Sequence, residues 1–76
     1  MPRITPIHYK KFAKFLKAVG CHLARQKGDH LVFKRADLRR PVIIPAEKNL
    51  PVFIIKNNLR LLNITPQQYL EILKDV

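Results

Sequence analysis

Three histidines, one cysteine, five acidic residues and no serine make a short inventory of groups able to do covalent or acid–base chemistry in this 76-residue chain. A serine nucleophile is absent. The lone Cys21 can form neither an intrachain disulfide nor a multi-cysteine zinc site, and it reads as a small buried apolar residue. His8, His22 and His30 show no metal-ligand spacing. Without a dense Cys/His/Asp/Glu cluster, the pattern argues against a metal enzyme and implies no cofactor. No glycine-rich loop runs into Lys-Ser/Thr, so nucleotide hydrolysis has no support. The groups left that can act as acid or base near neutral pH are the three imidazoles, which are more often plain polar residues than catalytic ones.

Among the three, His30 has the most informative setting. It follows Lys27-Gly28-Asp29, a turn whose backbone N–H groups and lysine can meet a phosphate, and it precedes Lys34 by four residues. His8 falls in the first turn of an expected helix, where helix polarity disfavours added positive charge, and His22 has no adjacent turn glycine. On spacing alone, His30 reads first as a polar surface residue of a strand, with a catalytic role the less common alternative.

The elements that must position these residues are legible. Thr5-Pro6 reads as a helix start, with Ile4 and Tyr9 spaced as a hydrophobic staple. Phe12, Phe15, Leu16 and Val19 then form an apolar face, and Gly20 stops the helix. Lys10, Lys14 and Lys17 share another face, readable as a solvated surface or as a phosphate-contacting ridge. After Gly20 the period changes from 3.6 to 2. Cys21, Leu23 and Arg25 alternate with His22, Ala24 and Gln26, the turn at Gly28 follows, and His30 to Lys34 runs back. A second turn, Arg35 to Arg39, leads to a third strand from Arg40 to Ile44, bracketed by Pro41 and Pro45 as an edge strand would be. Pro51 opens a second helix carrying Val52, Ile55, Leu59 and Leu62, and Asn63 sits where a left-handed cap belongs. Thr65-Pro66-Gln67-Gln68 reads as a capping box that starts a third helix with Tyr69, Leu70 and Leu73. The expected fold is α+β, in the order α-β-β-β-α-α, with helices packed on one face of a three-stranded antiparallel sheet. Residues 1–76 are expected to form one domain, with a thin core. Strand alternation points Leu31 and Phe33 toward the helices and leaves His30, Val32 and Lys34 on the open face.

Charge sharpens that reading. Fifteen Lys and Arg against five Asp and Glu give +10 at neutral pH, and hydrophobic residues are 47% of the chain, the balance of a folded domain. Residues 1–40 hold eleven basic and two acidic residues, whereas residues 41–76 hold four and three. The charge therefore lies on the first helix and the sheet. It implies a negatively charged partner, with nucleic acid, an acidic protein and a membrane surface all open on charge alone. No stretch approaches the roughly 20 apolar residues of a membrane span, and a reducing intracellular setting fits a single cysteine.

The strings Arg25-Gln26-Lys27-Gly28-Asp29-His30-Leu31-Val32-Phe33-Lys34, Pro41-Val42-Ile43-Ile44-Pro45, Leu50-Pro51 and Leu62-Asn63-Ile64-Thr65-Pro66-Gln67-Gln68-Tyr69-Leu70 resemble the HicA family of toxins from toxin–antitoxin systems. The most specific element is the Gly-x-His turn at Gly28 to His30. The resemblance implies a double-stranded-RNA-binding-domain-like fold, cytoplasmic mRNA interferase activity, an RNA substrate and a HicB-type antitoxin partner, with neither a membrane nor a small-molecule substrate. It places the family's catalytic histidine on His30. Arg25, Lys27, Gly28, Lys34, Arg35, Arg39 and Arg40 are the accompanying candidates for RNA binding. Asp29 stands where the family commonly has serine, and its carboxylate either orients His30 or repels RNA. Ala46-Glu47 and Phe53-Ile54 also depart from the family pattern. RNA carries its own nucleophile, the 2′-hydroxyl, so an acid–base group and phosphate-binding cations suffice in principle without a metal. The alternative class is a noncatalytic RNA- or DNA-binding module on the same basic face; an adaptor for an acidic protein is a third.

Overall fold

The computed structural model describes residues 3–76. Helix α1 (Tyr9–Ala18) leads into β1 (His22–Lys27), β2 (His30–Lys34) and β3 (Val42–Pro45), and α2 (Val52–Leu62) and α3 (Pro66–Leu73) complete the chain. The sheet is antiparallel throughout, in the order β1-β2-β3, which makes the proline-bracketed third strand an edge, as its sequence indicates.

One face of the sheet and the three helices share an apolar core. Leu31 and Phe33 of β2 and Val42 and Ile44 of β3 bury against Phe12, Phe15 and Leu16 of α1, Ile55, Leu59 and Leu62 of α2 and Tyr69 of α3. These helix positions recur at three and four residues, so each helix turns one stripe inward. The centre is aromatic: Phe15 and Tyr69 meet edge-on at 4.8 Å between ring centroids, and Phe12 lies 5.4 Å from Phe15. Tyr69 is 1% exposed, and its hydroxyl has no hydrogen-bond partner.

Local signals set most element ends. Thr65 caps α3 by accepting from the Gln68 N–H at 3.1 Å, while the Gln68 side chain accepts from the Thr65 N–H at 2.9 Å. Asn63 closes α2 in the left-handed region, at φ 58°. The start of α1 differs from the sequence expectation. Thr5-Pro6 does not begin the helix, and Ile4 and Tyr9 do not staple such a start. Instead Ile7 pairs with Leu50, whose N–H donates to the Ile7 carbonyl at 2.7 Å, and the Tyr9 N–H donates to Glu47 O at 3.1 Å. Those long-range bonds keep Ile7 and His8 out of the helix. The cap passes to His8, whose Nδ1 accepts from the Lys10 N–H at 3.2 Å, so His8 precedes the first helical turn.

Candidate nucleic-acid interface

The open face of the sheet is built around the β1–β2 hairpin. Gly28 and Asp29 are its two turn residues, and the antiparallel ladder closes on the pair Lys27 and His30. Gly28 has φ 61°, and among the described residues Asn63 is the only non-glycine with positive φ. A left-handed first residue followed by a right-handed second gives the φ signs of a type II′ turn, for which glycine is the suited first residue. The turn is also tied to the loop after β3, because the Ala46 N–H donates to the Asp29 carbonyl at 2.7 Å.

That anchoring presents His30 beside its neighbour's carboxylate. His30 Nδ1 lies 3.0 Å from Asp29 Oδ1, with the two side chains 56% and 81% exposed. The contact is one of proximity, an ion pair when the imidazole is protonated and not an aligned hydrogen bond, so both readings of Asp29 remain compatible with it.

Strict alternation along β1 would put Arg25 and Lys27 on the face of Cys21 and Leu23, away from His30. The structure places them otherwise, through a bulge. Leu23 opposes Phe33, but Arg25 opposes Val32, so Ala24 is the extra residue and the parity of the strand reverses there. Two rows then cross the open face, Lys27–His30–Pro45 and Arg25–Val32–Ile43. Arg25, Lys27, His30, Val32 and Ile43 line a shallow depression of about 440 Å³.

The remaining sequence candidates lie at the other end of β2, about 13 Å from His30 by strand rise. Lys34, Arg39 and Arg40, with Leu38 and Pro41, line a second depression of about 260 Å³, and His22 opposes Lys34 across the ladder. Arg35 borders it too, but its guanidinium is engaged by protein groups. It forks onto Asp37, with Nε–Oδ1 at 2.6 Å and Nη2–Oδ2 at 3.0 Å, and Nη1 donates to the Val19 carbonyl at 2.8 Å. The Arg35 hydrogen bond holds the Asp37 carboxyl below its ordinary range, and the same bond pushes the arginine further up. Gly20, at φ 94°, leaves room for this strap: a Cβ there would come within 3.3 Å of Arg35 Cδ. Lys10, Lys14 and Lys17 are exposed on α1.

Sequence reasoning did not single out Ile43. Its signal is the run Val42-Ile43-Ile44, which lacks the polar alternation of a half-exposed strand and so announces apolar surface on both faces. Among the described residues no three His, Cys, Asp or Glu side chains come together as metal ligands, and no helix is long and apolar enough to cross a membrane.

Residues 9–64 match the family model described as HicA toxin of bacterial toxin-antitoxin. The matched span runs from the start of α1 to just beyond the α2 cap and contains the whole sheet and the Gly28–His30 turn. No curated protein and no solved structure matches the chain.

Proposed function

Since the chain belongs to the HicA toxin family, we propose that it is the toxin of a toxin–antitoxin pair and an mRNA endoribonuclease whose general acid–base group is His30. The observation that carries this reading is the Asp29–His30 contact at 3.0 Å, set at the tip of a basic hairpin. His30 Nε2 takes the proton of a ribose 2′-hydroxyl, and the oxygen attacks the adjacent phosphorus. The bond to the 5′-oxygen breaks, and the imidazolium returns its proton to that leaving oxygen. The products are a 2′,3′-cyclic phosphate and a 5′-hydroxyl, so atoms and protons balance without water or a metal. Arg25 and Lys27, facing the same side as His30, offset the charge that grows on the phosphoryl oxygens, and the Gly28 turn brings the backbone close to the phosphate. Lys34, Arg39 and Arg40 hold the strand farther along, while Arg35 serves by fixing the turn that carries them.

A general acid–base residue contributes on the order of 10²–10⁴-fold. Purified protein in EDTA is expected to shorten RNA, and His30→Ala is expected to lose at least a hundredfold in rate. Equal cleavage by His30→Ala would remove the site assignment; RNA shifted but never shortened by the wild type would favour the noncatalytic binder.

The HicB-type antitoxin would neutralise the toxin by covering this face in the cytoplasm, where mRNA is met. A standard interface takes about 800 Å² from each partner, and the protein exposes 5335 Å² in all. One such contact is wide enough to cover both depressions. An acidic partner encoded beside this chain, relieving growth arrest on co-expression, is the expected finding.

A further inference from the structure

Val32 sits on the solvent side of the sheet and is nevertheless only 6% exposed. The helices do not cover it, since it stands outside the core they share with the other face. Its cover comes from the residues around the depression, Arg25, Lys27, His30 and Ile43. Ile43 in turn is 49% exposed at the middle of β3. An apolar floor and an apolar wall therefore lie one row, about 6.7 Å along the strand, from the imidazole. Phosphate binding has no use for either.

We propose that Val32 and Ile43 seat an unstacked nucleobase of the RNA strand, the one flanking the phosphate held at His30, with Arg25 closing over it. The inference rests on the ribonuclease reading for its substrate and adds a base-binding subsite to it. Three observations favour a base over other occupants. The volume of about 440 Å³ is at the low end of the roughly 300–1,000 Å³ typical of small-ligand sites. The rim carries Arg25 and Lys27, which complement the phosphodiester on either side of a base. Arg25 opposes Val32 directly across the ladder, where its planar guanidinium can lie on the face of an aromatic ring. A base within a duplex has both faces covered by its stack, so the seat selects unpaired RNA, which proteins read by splaying bases onto side chains.

The test is equilibrium binding of a fluorescent 2′-O-methyl oligonucleotide, which lacks the nucleophile and stays uncut, compared as a single strand and as a hairpin duplex at fixed salt. Wild-type protein is expected to prefer the single strand. Ile43→Ala should weaken single-strand binding about fivefold and leave duplex binding and the salt slope unchanged. Ile43→Phe, which widens the apolar wall, should restore or exceed wild-type affinity. Ile43 is half exposed, so both variants are expected to fold. Equal loss on both RNA forms, or no loss on either, would overturn the seat. Unchanged RNA affinity with weakened capture of the antitoxin would assign the depression to a protein side chain and overturn it as well. Uncut natural RNA combined with Ile43-dependent single-strand binding would remove the ribonuclease reading and leave the seat standing.

Discussion

Replacing Asp29 by asparagine isolates what its charge does for His30. The amide has the carboxylate's shape, so the close approach to Nδ1 is kept while the charge is lost. Two unit charges 3.0 Å apart attract by about 1.4 kcal/mol in bulk water. Measured couplings of exposed pairs fall to about 0.2–1 kcal/mol, because salt screens them and the side chains must be ordered. With Asp29 81% exposed, that lower range applies, and it corresponds to a kcat loss of about 1.4- to 5-fold. The orienting aspartate of a serine protease is worth about 10⁴ because its replacement holds the imidazole in the wrong tautomer; Asp29 makes no aligned hydrogen bond to His30, so only the charge is at stake here. The same substitution removes a negative charge from beside a polyanion, so KM should fall as kcat falls, and the change in KM should shrink at high salt. Steady-state cleavage of a fluorogenic RNA by wild type, Asp29→Asn and His30→Ala separates these terms. A kcat loss of a hundredfold or more in Asp29→Asn would mean that the carboxylate itself acts on the substrate. A rise in kcat would mean that repulsion, and not orientation, is its main effect.

Other consequences follow from groups away from the hairpin tip. Tyr69→Phe deletes a buried hydroxyl that lacks a partner and is expected to raise stability by about 1 kcal/mol in urea unfolding. Burial pushes the Tyr69 hydroxyl up to about 12, so below about pH 10 the difference from Tyr69→Phe is constant, and between about pH 10 and 12 wild type should weaken further by about 1.4 kcal/mol per pH unit. Gly28→Ala places a Cβ where nothing lies within 4 Å, so the cost is the left-handed backbone alone, about 1–2 kcal/mol by denaturant unfolding, with the core unchanged. Asp37, held low by Arg35, stabilises the fold above the ordinary carboxylate range and loses that contribution as pH falls through its lowered value; Asp37→Asn should lack this acid-side step in thermal melts from pH 5 to 2.

The elements read correctly from the sequence are those whose determinants are local. Thr65 and Gln68 satisfy each other's backbone within four residues, and Gly28 and Asn63 take conformations that their own chemistry permits. Thr5-Pro6 carries an equally clear helix-start signal, but its competitor is Leu50, more than forty positions away, and no local pattern reveals that pairing. His30 stands out as a candidate through the family resemblance that its Gly-x-His turn carries; local spacing alone reads it as a polar surface residue. The burial of Val32 is not legible, since the residues that cover it come from all three strands. Arg35 shows the same limit: its charge is visible in the sequence, but its engagement by Asp37 and the Val19 carbonyl depends on where α1 ends.

The bulge at Ala24 has an evolutionary consequence. Removing that residue would leave Leu23 on Phe33 and Arg25 on Val32 as consecutive rungs of a regular ladder. Both halves of the strand would keep their partners, and only the local bend and extra twist would go. A related chain without the bulge would therefore align correctly only with a one-residue gap at position 24. Forced into ungapped register, its inward residues would be matched with outward ones, and cations that share a face in space would look unrelated. Loss of one residue at this point keeps both halves of the ladder paired and alters the angle of the hairpin tip.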